Sequence, residues 1–269
     1  MKMTIVDRTF MVTAAGERLQ VRQLQPEGLV AEASSATLVF LHESLGCIAQ
    51  WRDFPQALVE ATGLPALVYD RCGFGGSQSL AVTRGLDYQE REVESLHDLL
   101  HVCTVTNPLL VGHSDGATLS LLYAATFPEH PLAVISEAAH LFVEEETLAG
   151  IRSAVERWRT TDFRERLMRS QGEHTDRVFS AWTETWMDPA FRNWSIVARM
   201  PDVSCPVLAI QGEEDEFGTI KQLESIIASV GGTCRTRLIP DCGHIPHREA
   251  QVEVLAEMTD FITALIQPA

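Results

Sequence analysis

The seven residues Leu110-Val111-Gly112-His113-Ser114-Asp115-Gly116 constrain this chain more than any others. An apolar run ends in a Gly-x-Ser-x-Gly turn, and a helical pattern, Ala117-Thr118-Leu119-Ser120-Leu121-Leu122-Tyr123, begins at once. A buried strand passing straight into a helix puts the serine on a tight corner. The corner imposes an unfavourable backbone on Ser114 and lifts its hydroxyl clear of the sheet. Glycines at 112 and 116 fit this geometry, because a Cβ at either place would collide with the neighbouring strand or helix.

Hydrophobic runs and breakers alternate regularly on both sides of this corner. Phe10-Met11-Val12-Thr13 and Leu19-Gln20-Val21-Arg22, separated by Ala14-Ala15-Gly16-Glu17, read as an opening hairpin. Thr37-Leu38-Val39-Phe40-Leu41 is a short continuous apolar run, as a strand buried on both faces requires. Residues 66–69, 109–111, 133–135 and 207–210 read the same way, whereas Arg235-Thr236-Arg237-Leu238-Ile239 is more polar and suits an edge. Helical patterns lie between the runs, at about 50–61, 88–103, 115–127, 219–230 and 249–266. Such alternation predicts an α/β fold, a mostly parallel central sheet flanked by helices. The stretch from 140 to 200 breaks the rhythm, with helical patterns, no strand candidate, and Trp158, Trp182, Trp186 and Trp194. It reads as a helical cap inserted over the carboxyl edge of the sheet, with residues 1–139 and 201–269 forming the core.

Composition excludes several partners. A formal net charge of −16 argues against nucleic acid and against an anionic membrane surface. No apolar run reaches the ~18 to 20 residues needed to span a bilayer. Asp7 and Arg8 interrupt the start before an apolar signal core could form, so secretion is not expected. Six cysteines without a C-x-x-C pair read as reduced, structural thiols in the cytoplasm. Arg152, Arg157, Arg159, Arg164, Arg166 and Arg169 crowd one stretch. They read as a solvated helix face among Glu156, Asp162 and Glu165, or as a cationic rim that attracts an anionic substrate.

In open α/β sheets the active crevice lies beyond the carboxyl ends of the strands. Each expected strand runs into a polar segment: His42-Glu43-Ser44-Leu45-Gly46, then Asp70-Arg71-Cys72-Gly73-Phe74-Gly75-Gly76-Ser77, then the serine turn. Gln211-Gly212-Glu213-Glu214-Asp215-Glu216 and Pro240-Asp241-Cys242-Gly243-His244 come later. With these motifs in this order the chain resembles the α/β-hydrolase fold superfamily over nearly its whole length. The order Ser, acid, His is itself distinctive of that fold.

The resemblance implies a serine hydrolase, and the chemistry of the residues agrees. Ser114 is a poor nucleophile at neutral pH and needs a base within hydrogen-bond reach. The imidazole of His244 can take the seryl proton and later give it to the leaving group. Asp215 would orient that imidazole and stabilise the imidazolium. Glu213, Glu214 and Glu216 crowd Asp215, which is preferred because the family's acid falls three residues after the glycine ending this strand.

An oxyanion hole needs two backbone N–H groups. One is expected from Asp115, and the other, by resemblance to the family's His-Gly-x loop, from Ser44, with Leu45 as donor if the loop is shifted by one. Glu43 departs from that pattern by occupying the usual glycine. It reads as a loop-stabilising carboxylate or as a contact to substrate, and Glu43, Leu45, Trp182 and Trp186 are the pocket candidates. The Asp115 side chain is expected to cap the following helix. His113 is expected to aim away from substrate, His42 to anchor its loop, and His247 to lie at the rim or cap a helix. His42-Glu43 lacks the second histidine of H-E-x-x-H, Gly46 standing in its place, so no metal site is expected.

The leading functional expectation is cleavage of a small carboxylic ester, thioester or related acyl compound through a Ser114 acyl-enzyme, with no cofactor and a small-molecule substrate. Hydrolysis of a C–C bond in a meta-cleavage-type product, or a lyase step on an anionic substrate, uses the same three residues. A non-catalytic, receptor-like protein on this fold is the remaining alternative.

Overall fold

Two antiparallel strands, β1 (Ile5–Ala14) and β2 (Glu17–Pro26), open the fold. Ala15 and Gly16 join them with φ of 49° and 76°, the doubly left-handed turn that matches strand twist. The computed structural model describes residues 3–28, 36–80 and 85–266, so Met1 and Lys2 lie outside it. There follow β3 (Thr37–Leu41), α1 (Phe54–Thr62), β4 (Ala66–Tyr69), α2 (Tyr88–Val102), β5 (Pro108–His113), α3 (Asp115–Thr126) and β6 (Ala133–Glu137). Three helices, α4 (Glu145–Thr160), α5 (Phe163–Gln171) and α6 (Thr175–Met187), precede β7 (Val207–Gly212). The chain closes with α7 (Ile220–Ser229), β8 (Cys234–Ile239), α8 (Pro246–Glu249) and α9 (Gln251–Ile266).

Among the described residues the sheet has eight strands, in the order β1-β2-β4-β3-β5-β6-β7-β8. Only the pairings of β2 with β1 and β4 are antiparallel; the others are parallel. Polar β8 stands at the edge, as its composition requires.

Alternate side chains of a strand face opposite sides of the sheet. Leu38 and Phe40 of β3 therefore join Leu58 of α1 and Met258 of α9 in one core. Val39 and Leu41 join Leu96 of α2 and Leu121 of α3 in the other. Both faces being covered, these strands read as unbroken apolar runs, each buried Leu, Val or Phe contributing about 1.5–3 kcal/mol.

Helix α1 begins later than the expected 50, after a separate 3-10 turn at Ile48–Trp51. The cause is Pro55, which lacks an N–H and is accommodated in the first turn of a helix but not in its interior.

The segment between β6 and β7 packs on the loops at the carboxyl ends of the strands. Leu167 of α5 and Val178 and Phe179 of α6 cluster with Leu45 and Phe74, which come after β3 and β4. Ile151 of α4 and Trp186 of α6 cluster with Tyr88 and Phe191. Among the described residues no helix is long and apolar enough to cross a membrane.

Candidate active site

Ser114 has φ 53° and ψ −116°, a conformation that costs a non-glycine residue about 1–3 kcal/mol. Close packing enforces it. A Cβ on Gly112 would lie 2.3 Å from the Gly116 carbonyl oxygen, and one on Gly116 would lie 2.0 Å from that of Leu41. The Ser114 N–H donates to the Glu137 carbonyl at 2.8 Å, tying the corner to the end of β6.

The three residues expected to act together meet at the carboxyl ends of their strands. His244 Nε2 lies 2.9 Å from Ser114 Oγ, and its Nδ1 lies 2.8 Å from Asp215 Oδ1. A carboxylate can only accept, so Nδ1 carries the proton and Nε2 is left to receive that of the serine. Asp215 Oδ1 also accepts the Phe217 N–H at 2.9 Å, and its side chain is 1% exposed. Glu213, Glu214 and Glu216, by contrast, are exposed.

The electrostatics of this group are coupled. Burial opposes a charge on His244, but the Asp215 carboxylate and its hydrogen bond, with Glu216 and Glu43, lift the imidazole above its usual range. Burial likewise works against ionised Asp215, and the His244 charge and hydrogen bond outweigh it, holding the carboxyl below the usual range. His140, whose ring centroid lies 5.9 Å from that of His244, is shifted down by burial and by the His244 charge.

A cavity of about 260 Å³ opens over Ser114 and His244. Glu43, Ser44, Leu45, Trp182 and Trp186 all line it, as do Arg157, Glu216 and Arg248. The Glu43 carboxylate accepts the Leu45 N–H at 3.3 Å, so it braces its own loop while facing the cavity. Burial pushes its pKa up, against the pull of His244 and the Leu45 N–H. That bond engages the Leu45 N–H, whereas no hydrogen bond from the Ser44 N–H is seen among the described residues.

Several expectations need correction. The Asp115 side chain, expected to cap α3, is turned to side-chain partners: its carboxylate takes Arg71 Nη1 at 2.7 Å and the Tyr88 hydroxyl at 2.6 Å. A buried cation within reach outcompetes backbone N–H groups for a carboxylate. His247 is neither at the rim nor a cap: it is 4% exposed, and its N–H and Nδ1 both meet the Glu137 carboxylate. His42 anchors its loop as expected, through Nδ1 to the Glu43 carbonyl at 2.7 Å and Nε2 to the Arg71 N–H at 3.1 Å. His113 turns away from the cavity and meets the His244 carbonyl at 2.8 Å. The arginine-rich stretch divides, with Arg152, Arg164 and Arg166 in exposed ion pairs to Glu145, Asp176 and Asp162 while Arg157 lines the cavity. All six cysteines are free thiols.

Three residues of the site escaped the reading of the sequence. Gln171, at the end of α5, donates to the carbonyls of Leu45 and Gly46 at 2.8 and 2.7 Å and accepts the Gly75 N–H at 2.8 Å. Glu137 ends β6, and its only outward signal was an acid closing an apolar strand. Arg71 did carry a signal: an acid beside the elbow serine, at 115, needs a cation, and Arg71 stands just past a buried strand.

This fold and the residues it gathers define the protein as an enzyme of the hydrolase type, built as an α/β hydrolase. It belongs to the alpha/beta hydrolase family, whose profile matches residues 38–258. It is 27% identical to the 2-succinyl-6-hydroxy-2,4-cyclohexadiene-1-carboxylate synthase of Enterobacter sp. (strain 638), over 86% of this chain and 93% of that protein. It is 26% identical to the serine hydrolase BPHL of Homo sapiens, over 73% of this chain and 68% of that one. In structure it is similar to 2-hydroxy-6-oxo-6-phenylhexa-2,4-dienoate hydrolase (BphD) from Rhodococcus sp. strain RHA1. That match has a TM-score of 0.75 at 16% identity, covers 97% of this chain and 100% of the other, and speaks to the fold alone.

Proposed function

We propose that the protein is a serine hydrolase that cleaves a small carboxylic ester, thioester or related acyl compound through a Ser114 acyl-enzyme. The observation that carries this reading is the chain of hydrogen bonds from Ser114 Oγ through His244 to Asp215, at 2.9 and 2.8 Å, beneath a cavity of about 260 Å³.

In the first step Ser114 Oγ attacks the carbonyl carbon while His244 Nε2 takes the hydroxyl proton. The carbonyl electrons move to oxygen, where the N–H groups of Asp115 and Ser44 receive the charge. The C–O or C–S bond to the leaving group breaks as the imidazolium returns the proton to it. Water, deprotonated by His244, then attacks the acyl carbon; the C–Oγ bond breaks, the imidazolium returns the proton to Ser114 Oγ, and the acid is released. Asp215 keeps the imidazole in the productive tautomer throughout.

Helices α4 to α6 act in this reading as a cap over the core. Their Trp182 and Trp186 supply an apolar wall that limits the size of the group bound. The six free thiols support a reducing compartment, the cytoplasm.

Arg157 and Arg248 in the cavity wall favour a second reading, C–C bond hydrolysis or a lyase step on an anionic substrate by the same serine and histidine. A panel of p-nitrophenyl esters of graded acyl length, with Ser114→Ala as control, tests the first. Turnover that disappears in the variant is the expected result. Absence of turnover together with absence of fluorophosphonate labelling overturns the activated serine and leaves a binding role.

A further inference from the structure

We infer that Arg71 is the positioning residue of the oxyanion hole, one buried guanidinium that holds the two donor-bearing segments in a single frame. The inference rests on the reading of Ser114 as nucleophile and of Ser44 and Asp115 as donors. Arg71 is 0% exposed. Its Nη1 pairs with the Asp115 carboxylate at 2.7 Å, and its Nη2 donates to the carbonyls of Glu43 at 3.0 Å and His42 at 3.2 Å.

The Glu43 carbonyl belongs to the same peptide unit as the Ser44 N–H. A trans peptide is planar, with its C=O and N–H pointing in opposite directions. Fixing the carbonyl on Arg71 therefore fixes the line along which the Ser44 N–H donates. His42 Nδ1 and the Gly46 N–H converge on the same oxygen at 2.7 and 3.0 Å. Because the Arg71 N–H donates to His42 Nε2, the ring proton sits on Nδ1 and that contact is a donated bond. Hydrogen bonds to a carbonyl polarise the peptide and strengthen its N–H as a donor, by ~10–30% per bond.

The other hand of the guanidinium answers a problem that Asp115 creates. A carboxylate next to the nucleophile places negative charge close to where the oxyanion forms, which by itself raises the barrier. Arg71 neutralises it, and the Tyr88 hydroxyl, at 2.6 Å, satisfies its second oxygen. The fork geometry matters here, since a point-charge ammonium cannot reach the Asp115 carboxylate and the Glu43 carbonyl together.

Arg71→Lys keeps the charge and loses the fork, and so tests the inference in the full-length enzyme. Thermal melting, kcat and KM on the best p-nitrophenyl ester, and inhibition by a trifluoromethyl ketone that forms a charged tetrahedral adduct are the readouts. The expected result is a cooperative melt with kcat down on the order of 10²-fold, the scale of one lost oxyanion donor. KM should stay within about threefold, and adduct affinity should fall in parallel with kcat. An Arg71→Lys enzyme as fast as wild type, or one that loses kcat while the adduct binds as before, overturns the inference alone. If Arg71→Lys melts below the assay temperature, Asp115→Asn carries the test. It leaves Arg71 in place and weakens one arm of the frame; since Arg71 already neutralises the carboxylate, displacement of the Asp115 N–H outweighs the charge removed, and a roughly tenfold loss of kcat with matching loss of adduct affinity is expected. Unchanged values overturn the inference. A wild type that neither turns over an ester nor takes up fluorophosphonate overturns the reading of Ser114, and this inference with it.

Discussion

The Glu137 carboxylate and His247 form a buried pair in which the backbone N–H and ring Nδ1 of the histidine address both oxygens of the acid, the ring at 2.8 Å. The pair joins the end of β6 to the loop that carries His244, three residues upstream of His247. On the same residue, the Glu137 carbonyl receives the Ser114 N–H. Glu137 thus fixes the serine with its backbone and the histidine loop with its side chain.

Glu137→Gln retains the shape but only one acceptor oxygen, so one of the two bonds is lost. An unsatisfied buried group costs about 1–3 kcal/mol, which for a chain of this size lowers Tm by roughly 2–4 °C per kcal/mol. Loosening His244 relative to Ser114 should, on the proposed roles, cost on the order of tenfold in kcat with KM within about twofold. Burial works to raise the Glu137 pKa, and the His247 charge and hydrogen bonds outweigh it and hold it below 4.5. Its stabilisation is therefore present above pH 4.5 and is lost as pH falls through the folded value, so the variant's Tm should fall less steeply in acid. Melts across pH with steady-state kinetics check this; a lower Tm with unaltered kcat would show that the pair serves the fold and not the reaction.

The legible parts of the sequence are those whose physics is local. Strands β3 and β4 declare themselves because both faces of the sheet are covered, so Thr37–Leu41 and Ala66–Tyr69 read as unbroken apolar runs. The meeting of Ser114 and His244, 130 residues apart, was legible only through the rule that loops at the carboxyl ends of parallel strands converge. The partnership of Arg71 with Asp115 leaves only a compositional hint, an acid in want of a cation, because a side-chain pair across 44 residues has no periodic mark and competes with the helix-capping role an acid at that position normally takes. The place of His247 was hidden for the same reason: nothing near it in sequence indicates that the end of β6 presents a carboxylate there. Pro55 was visible, and its meaning for the start of α1 comes from its missing N–H.

With His244 as the proposed base, its raised pKa should set the acid limb of activity. The imidazole must be neutral to accept the seryl proton, so kcat/KM for an ester should rise with pH through a midpoint above 6.5. Asp215→Asn removes the charge that lifts that pKa, and the midpoint should move to lower pH. Rate at the plateau should fall on the order of 10³- to 10⁴-fold, because the amide no longer enforces the productive tautomer. A pH–rate profile of both enzymes separates the two effects. An acid limb that stays in place would remove Asp215 from its assigned role.

Glu43 should act on the same limb from the cavity side. Its carboxylate also raises the His244 pKa, and its own pKa is raised by burial. Glu43→Gln keeps an acceptor for the Leu45 N–H while removing the charge, so the loop should hold and Tm should change by less than about 3 °C. The acid limb should shift to lower pH, in the direction of the Asp215→Asn shift but by less, since Glu43 ranks below Asp215 among the groups lifting His244. An unmoved limb would mean that Glu43 is already protonated where His244 titrates.

Substitution of the cavity arginines tests the choice between neutral and anionic substrates. Arg157 and Arg248 line the wall with Glu43 and Glu216 opposing them, so the field inside is mixed rather than uniformly positive. Both arginines are exposed, which limits the worth of each contact to the scale of a surface ion pair. Arg157→Gln and Arg248→Gln should each lower kcat/KM for the p-nitrophenyl monoester of succinate by roughly two- to fivefold and leave the butyrate ester unaffected. Added salt should reproduce part of that loss in the wild type, because exposed charges are screened over about 10 Å at ~0.1 M. Equal effects on both esters would show that the arginines shape the pocket without reading charge. The anionic C–C substrate would then lose the one structural feature in its favour, leaving the neutral acyl compound that the tryptophan wall accommodates.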